Sequence, residues 1–190
     1  MSPAFELAIP SRALLAGYVA ALEAGWSPDT TRPEAADEEL AKIAADADAF
    51  LRHQVDREAR GGPVTLPDRS QVPRLPGYRL WMSDGEFCGV IGFRWQPGTV
   101  ELPPHVMGHI GYSVVPWKRR RGYATRALGL MLAHARAEGL PHVVITTDLA
   151  NEASRRVIEA NGGGVPERFV KPPQYGGATA LRYRVPTAPA

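Results

Sequence analysis

The chain has 190 residues, 44% hydrophobic and 22% charged, with a formal net charge of +2. This is the composition of a single globular domain able to bury a real core, and its excess charge is too small to imply a nucleic-acid partner by itself. Cys88 is the sole cysteine, which excludes an intrachain disulfide and fits a reducing, cytoplasmic setting; no stretch is apolar for long enough to span a bilayer, and the N-terminus lacks a charged-then-apolar signal pattern.

In chain order, Phe5 to Ile9 reads as a short first strand. Ser11 suits an N-cap, and Leu14, Leu15, Tyr18, Val19 and Leu22 give one apolar face to a helix ending near Gly25. A loop spans 27–33. Leu40, Ile43, Ala44, Ala47, Phe50, Leu51 and Val55 then predict one longer helix from about Glu34 to Ala59. The Gly- and Pro-rich stretch from Gly61 to Pro76 reads as irregular, either a surface loop or part of a substrate wall. Tyr78 to Met82 and Phe87 to Trp95 flank Ser83-Asp84-Gly85-Glu86, which is a hairpin signal. Gln96 to Val106 is a loop.

The second half is more strongly patterned. Ile110, Tyr112 and Val114 lie in a run of β-formers closed by Pro116. After Lys118-Arg119-Arg120-Arg121 comes Gly122, and Ala124, Ala127, Leu128, Met131, Leu132 and Ala135 then recur at helical spacing until Gly139 and Pro141 end the helix. A strand from His142 to Thr147 and a short helix opening at Asn151 follow. Val165 to Val170 and Thr179 to Val185 read as final strands, with Pro186 to Ala190 a frayed tail.

A basic, glycine-containing turn that opens a helix is a recipe for an anion site. The N–H groups of the first turn lack partners, the helix dipole favours negative charge, and arginines stand beside them. There is no Gly-x-x-x-x-Gly-Lys-Ser/Thr run and no Gly-x-Gly-x-x-Gly, so neither a Walker-type loop nor a dinucleotide fingerprint is present. What remains, Arg119-x-x-Gly122-x-Ala124 between strand and helix, resembles the Gln/Arg-x-x-Gly-x-Gly/Ala coenzyme A signature of the GNAT superfamily of acetyl-CoA-dependent N-acyltransferases. Asn151-x-x-Ser154 is similar to that family's next motif.

The resemblance implies an α/β (α+β) GNAT fold over residues 1–190. This is a mixed, twisted sheet of about seven strands with helices on both faces, the cofactor motifs lying in 109–162 and the helices of 11–59 on the acceptor side. It implies acetyl-CoA as co-substrate, no metal, and direct attack by an amine without an acyl-enzyme. Backbone groups near Ser113, Val114 and Val115 would pair with the pantetheine arm, with the N–H of Val114 or Val115 polarising the thioester oxygen. Amides of Arg119, Arg120, Arg121, Gly122, Tyr123, Ala124 and Thr125 would cradle the pyrophosphate. Asn151, with Ser154 in the first turn after it, would either hydrogen-bond the arm or cap its own helix.

The chain departs from the family at one position. Seven residues after the Asn, where many members carry a tyrosine that protonates the thiolate, stands Ile158. Either Tyr112, Tyr175 or a water serves instead, or the thiolate leaves without help, which a thiol pKa near 8.5 allows. His109, at the start of the fourth main strand, is the candidate general base, because imidazole titrates near neutrality. The acceptor is expected to be an amine-bearing small molecule or peptide. Residues 1–60 hold 11 acidic and 6 basic residues, a net −5, so the rest carries +7, and that imbalance hints at a cationic acceptor. Two other readings are an idle acyl-CoA-binding domain, for which Ile158 speaks, and a nucleic-acid binder using the basic run, which lacks stacking residues or a recognised module. A homodimer through the C-terminal strands is open.

Overall fold

A computed structural model describes residues 4–188. The chain begins with strand β1 (Glu6–Ala8) and helices α1 (Arg12–Glu23), α2 (Ala35–Ala45) and α3 (Ala47–Arg52). Three two-residue strands follow, β2 (Val55–Asp56), β3 (Val64–Thr65) and β4 (Gln71–Val72), and then the long hairpin β5 (Gly77–Ser83) and β6 (Phe87–Arg94). The second half comprises β7 (Ile110–Val114), α4 (Tyr123–Ala137), β8 (His142–Asp148), α5 (Glu152–Glu159), β9 (Glu167–Val170) and β10 (Thr179–Pro186).

Two larger antiparallel sheets result, besides the two-stranded β3–β4. One has the order β1-β5-β6-β7, with β2 on β5; the other is β8-β10-β9. They meet at one end, where the His109 N–H donates to the Val144 carbonyl (2.8 Å) and Gly108 lies against Val144 and Ile145. Beyond that point β7 and β8 part. The seven expected strands are present, but the mixed sheet is instead two antiparallel sheets that touch at one end and open a cleft, with no parallel ladder among the described residues.

Alternation along β5 sorts the core into two layers. Tyr78, Leu80 and Met82 pack with Ile91 and Phe93 of β6, Leu128 and Met131 of α4 and Ile158 of α5. Trp81 points the other way and stacks on Tyr18 of α1 with ring centroids 4.6 Å apart, beside Phe87 and Phe50. Helices therefore cover both faces, as the sequence pattern requires of a sheet buried on both sides.

The single helix expected from Glu34 to Ala59 breaks. Asp46 is extended (φ −160, ψ 97) and its side chain accepts the Ala49 N–H, so it ends α2 and caps α3. Aspartate competes for backbone donors in this way, and the cap won over the continuing apolar period. Val55, expected inside the helix, pairs with Tyr78 in β2 instead. The stretch expected to be irregular, Gly61 to Pro76, holds a small hairpin of β3 and β4. The expected frayed tail is tied down through Thr187, whose hydroxyl donates to the Leu140 carbonyl (2.6 Å); residues 189–190 lie outside the described part. No helix among the described residues is long and apolar enough to cross a membrane.

Candidate active site

Between the parted strands lies a cleft of about 830 Å³. One half is walled by Tyr112 to Val114, the turn at Arg119–Gly122, the first turn of α4 and the start of α5; the other by the 28–32 loop, Val64 to Pro67, Arg79, Arg94 and Tyr175.

The hydrogen-bond parity of β7 decides which backbone groups face the first half. Arg94 N–H donates to His109 O (2.9 Å) and Val115 N–H to Cys88 O (3.0 Å), and Val90 pairs with Ser113 between them. Paired residues alternate in an antiparallel ladder. Gly111, Ser113 and Val115 therefore spend their N–H groups on β6, while Tyr112 and Val114 direct theirs to the open edge. Val115 is fully buried and its N–H is taken, so of the two expected donors only Val114 is available. The Ser113 side chain lies on the opposite face, where its Oγ accepts the Trp26 indole N–H (2.9 Å).

After β7 the chain makes a 3-10 turn at Pro116–Lys118 and enters α4 through the basic turn. Arg120 (φ 61) and Gly122 (φ 75) are both left-handed. The glycine adopts this freely, whereas an L-residue pays roughly 1–2 kcal/mol. No side chain caps α4, and the N–H groups from Arg120 to Thr125 have no acceptor among the described residues. Six consecutive donors without acceptors thus stand at the positive end of a 15-residue helix, and all of their residues but Arg121 line one end of the cleft.

A half-buried carboxylate, Asp84, pins this turn at both ends. Lys118 Nζ lies 3.0 Å from each Asp84 oxygen and 2.7 Å from Glu86, and Tyr123 donates its hydroxyl to Asp84 (2.5 Å). Burial alone would raise the Asp84 pKa, but the hydrogen bonds from Tyr123 and Lys118 outweigh it and hold it well below the usual carboxylate range. Phe5 stacks on Tyr123 (5.1 Å), bracing the helix start from β1. Lys118, the first member of the basic run, is thereby a structural residue and not a free cation.

The remaining expected residues divide clearly. Arg119, Arg120, Gly122, Tyr123, Ala124, Thr125, Asn151 and Ser154 line the cleft. Arg119 Nε also donates to the Val114 carbonyl (3.1 Å), bracing the turn against the strand edge. Arg121 does not line the cleft; it is exposed and reaches back to Trp117 O (3.4 Å), because the turn sends its side chain outward. Asn151 caps α5, its Oδ1 accepting the Ser154 N–H (3.0 Å), and its Nδ2 has no partner among the described residues. The Tyr112 hydroxyl reaches Ser154 Oγ (2.8 Å), and burial pushes its pKa up to about 12. Ile158 is wholly core.

His109 is withdrawn from the cleft. It is fully buried, and its Nδ1 accepts the Val144 N–H (2.9 Å), which places the ring proton of the neutral form on Nε2. Burial, reinforced by nearby His142, lowers its pKa to about 4. A neutral imidazole whose only basic nitrogen is occupied cannot take a proton from a substrate. The side chain joins the two sheets; it is not the base expected from sequence.

Sequence reasoning missed four residues. Asn161 donates to the Thr125 (3.1 Å) and Val157 (2.8 Å) carbonyls and so ties α4 to α5. Arg79 and Arg94 project from neighbouring strands onto the same face as Trp81, and Gly92 lies between them on the cleft wall. An arginine inside an otherwise apolar strand, as in Val-Ile-Gly-Phe-Arg-Trp, was the available signal.

A sequence profile described as "Acetyltransferase (GNAT) domain" matches residues 24–163. Among solved structures, the chain is similar to Mycobacterium smegmatis RimJ in complex with CoA-disulfide (19% identity, 97% of this chain and 82% of that one, TM-score 0.61). It is also similar to the ribosomal L7/L12 alpha-N-protein acetyltransferase RimL in complex with coenzyme A (15%, 97% and 96%, TM-score 0.61). The microcin C7 self-immunity acetyltransferase MccE, in complex with acetyl-CoA and AMP, is a third (12%, 96% and 92%, TM-score 0.58). At these identities the likeness is one of fold. No curated protein matches the sequence.

Proposed function

The chain belongs to the GNAT acetyltransferase family, and from that premise we propose that it transfers the acetyl group of acetyl-CoA to the amine of a small molecule or peptide by direct attack within a ternary complex. The observation that carries this reading is the row of six N–H groups without acceptors among the described residues, Arg120 to Thr125, beside the open strand edge of β7. The donors suit a pyrophosphate and the edge suits an extended amide-bearing arm. Acetyl-CoA supplies an activated acyl group on a thiol leaving group.

The protein's own residues hold and orient. Val114 N–H, aimed into the cleft and unable to reach β6, is placed to polarise a thioester oxygen, and the N–H of Tyr112 lies on the same edge two residues earlier. Arg119 and Arg120 add positive charge at the phosphate end, and the Asn151 amide N–H₂ is free for the arm. Tyr112 keeps its proton at neutral pH. A phenol pushed up to about 12 transfers a proton uphill to a thiolate of pKa near 8.5, so its contribution is a hydrogen bond to the departing sulfur. RimL, an alpha-N-protein acetyltransferase, supports an amine acceptor, and MccE, in complex with acetyl-CoA, supports the acetyl donor.

A second reading, a domain that binds acyl-CoA without turnover, is favoured by Ile158 and by the burial of His109. Calorimetry with acetyl-CoA, followed by thiol release over a panel of amines, separates the two. Micromolar binding, on the order of −8 kcal/mol, is expected, and is expected to vanish in an Arg120→Ala, Gly122→Asp double variant. Binding that persists in this variant would put the cofactor elsewhere. Binding without thiol release from any amine would leave the idle domain.

A further inference from the structure

The half of the cleft away from the basic turn has a specific charge problem. Of its cations, Arg79 pairs with Glu39 (2.7 Å), Arg32 with Glu38 and Lys171 with Asp148. Arg94 has none of this. Its side chain makes no ion pair and no hydrogen bond among the described residues, although it is exposed to the solvent that fills the cleft. Crowding by its neighbours lowers its pKa, nearby Tyr175 and Asp29 offset this only in part, and Arg79 adds to the lowering. A guanidinium stays charged at neutral pH regardless.

The floor beside Arg94 is bare. Gly92 and Gly111 pair across β6 and β7 on the face that carries Arg79 and Arg94. Neither glycine is left-handed, and a Cβ would meet nothing closer than 3.9 Å at Gly92 or 3.7 Å at Gly111. The backbone therefore does not demand glycine at either position. What the two glycines provide is space, and the atom nearest a Cβ at Gly111 is Nη2 of Arg94 itself. An unpaired fork of donors thus overhangs an open strip of sheet, within three residues of the Val114 N–H, or about 10 Å along a strand.

We propose that Arg94 is the acceptor-binding residue of this cleft and that the acceptor is an amine that also bears a carboxylate. The inference rests on the acetyl-transfer reading and names its substrate class. A planar guanidinium matches a carboxylate through two parallel hydrogen bonds. A single guanidinium with no ion-pair or hydrogen-bond partner among the described residues suits one carboxylate better than a phosphate dianion. The spacing brings amine and carboxylate within reach of each other as in an amino acid or the first residues of an acidic peptide. The acidic surplus of the N-terminal third does not oppose this. Glu38 and Glu39 are spent on Arg32 and Arg79, Asp48 on Arg12, and Asp46 on the α3 cap. Among the described acidic residues of that third, Asp29 alone lines the cleft without an ion pair, and it accepts from the Thr31 N–H and hydroxyl, so the cationic acceptor that net charge hinted at meets no cluster of free carboxylates there.

The test is thiol release with matched acid and amide pairs on the intact protein. Glycine against glycinamide and glutamate against its diamide report a free amino acid; Ala-Asp-amide against Ala-Asn-amide reports a peptide side chain. A preference of at least tenfold in kcat/KM for the acid is expected in one arm. Arg94→Met is expected to bring that ratio close to one while still binding acetyl-CoA by calorimetry, and Arg94→Lys to recover part of it. A ratio near one in both arms of the wild type, a panel in which no carboxylate is acetylated, or a preference unmoved in Arg94→Met would each overturn the inference. Failure of the wild type to bind acetyl-CoA would instead remove the acetyl-transfer reading and this inference with it.

Discussion

The two halves of the cleft are built by different means. The half proposed for the cofactor comes from nearly continuous chain, β7, the basic turn and the first turn of α4, and its donors are backbone groups. The half proposed for the acceptor is assembled from five separated segments, around Asp29, Leu66, Arg79, Arg94 and Tyr175, and its donors are side chains. Backbone donors at a helix start are set by local geometry and tolerate many side chains. A side-chain site depends on which strands happen to be neighbours and on who neutralises whom. The first half can therefore be shared across a family, while the second individualises one member.

Breaking the cofactor half at its anchor should have the largest effect. Lys118→Met leaves the half-buried Asp84 without its cation, where breaking a fully buried pair would cost about 3–5 kcal/mol. The lower end is expected because Glu86 is 77% exposed. Chemical denaturation measures this, and acetyl-CoA affinity should fall with it, since the same carboxylate holds both ends of the turn.

Acid should weaken the seam between the halves. His109 titrates near 4 when folded and near 6.5 when unfolded. Between those values the unfolded chain binds a proton that the native state refuses, so stability falls as pH drops through that window, by on the order of 3 kcal/mol at its bottom. In His109→Asn the amide oxygen can still accept the Val144 N–H, and this part of the pH dependence should flatten. An unchanged slope would mean that other groups carry it.

Filling the acceptor floor should separate the halves functionally. Gly92→Val meets no backbone obstacle, yet places two methyl groups beside Arg94. We expect kcat/KM to fall at least tenfold, about 1.4 kcal/mol, with acetyl-CoA affinity unchanged. Weaker acetyl-CoA binding in this variant would show that the two halves are not independent.

The smallest effect sharpens the role of Asn151. Asn151→Ala should cost about 1 kcal/mol of stability from the lost cap. Asn151→Ser keeps a capping oxygen and removes only the amide N–H₂, so it should restore the stability. If it binds acetyl-CoA as tightly as the wild type, Asn151 is a cap and nothing more.

Much of this was legible in the sequence because its cause is local. The strand, basic turn and helix from Ile110 to Ala137 follow from β-formers, Gly122 and a 3.6-residue apolar period, and the structure places them where that pattern predicts. Asn151 at a helix start was equally plain. Asp46 was readable in principle, since a cap and a helix interior compete for the same residue, but the uninterrupted apolar period concealed it.

Other features depend on partners distant in sequence. Whether Val114 or Val115 offers its N–H is settled by the register with β6, a property of two strands about 20 residues apart and invisible in either. His109 looked like a base because its residue type titrates near neutrality; its burial beside Val144 and His142 decided otherwise. Lys118 and Arg94 are both cations in the sequence, but one is matched to Asp84 and the other to nothing. Sequence by itself determined the helix start, its donors and the alternation that sorts the core. Tertiary structure alone decided which charges are neutralised and which remain open, because the free energy of a charge is set by the groups packed against it.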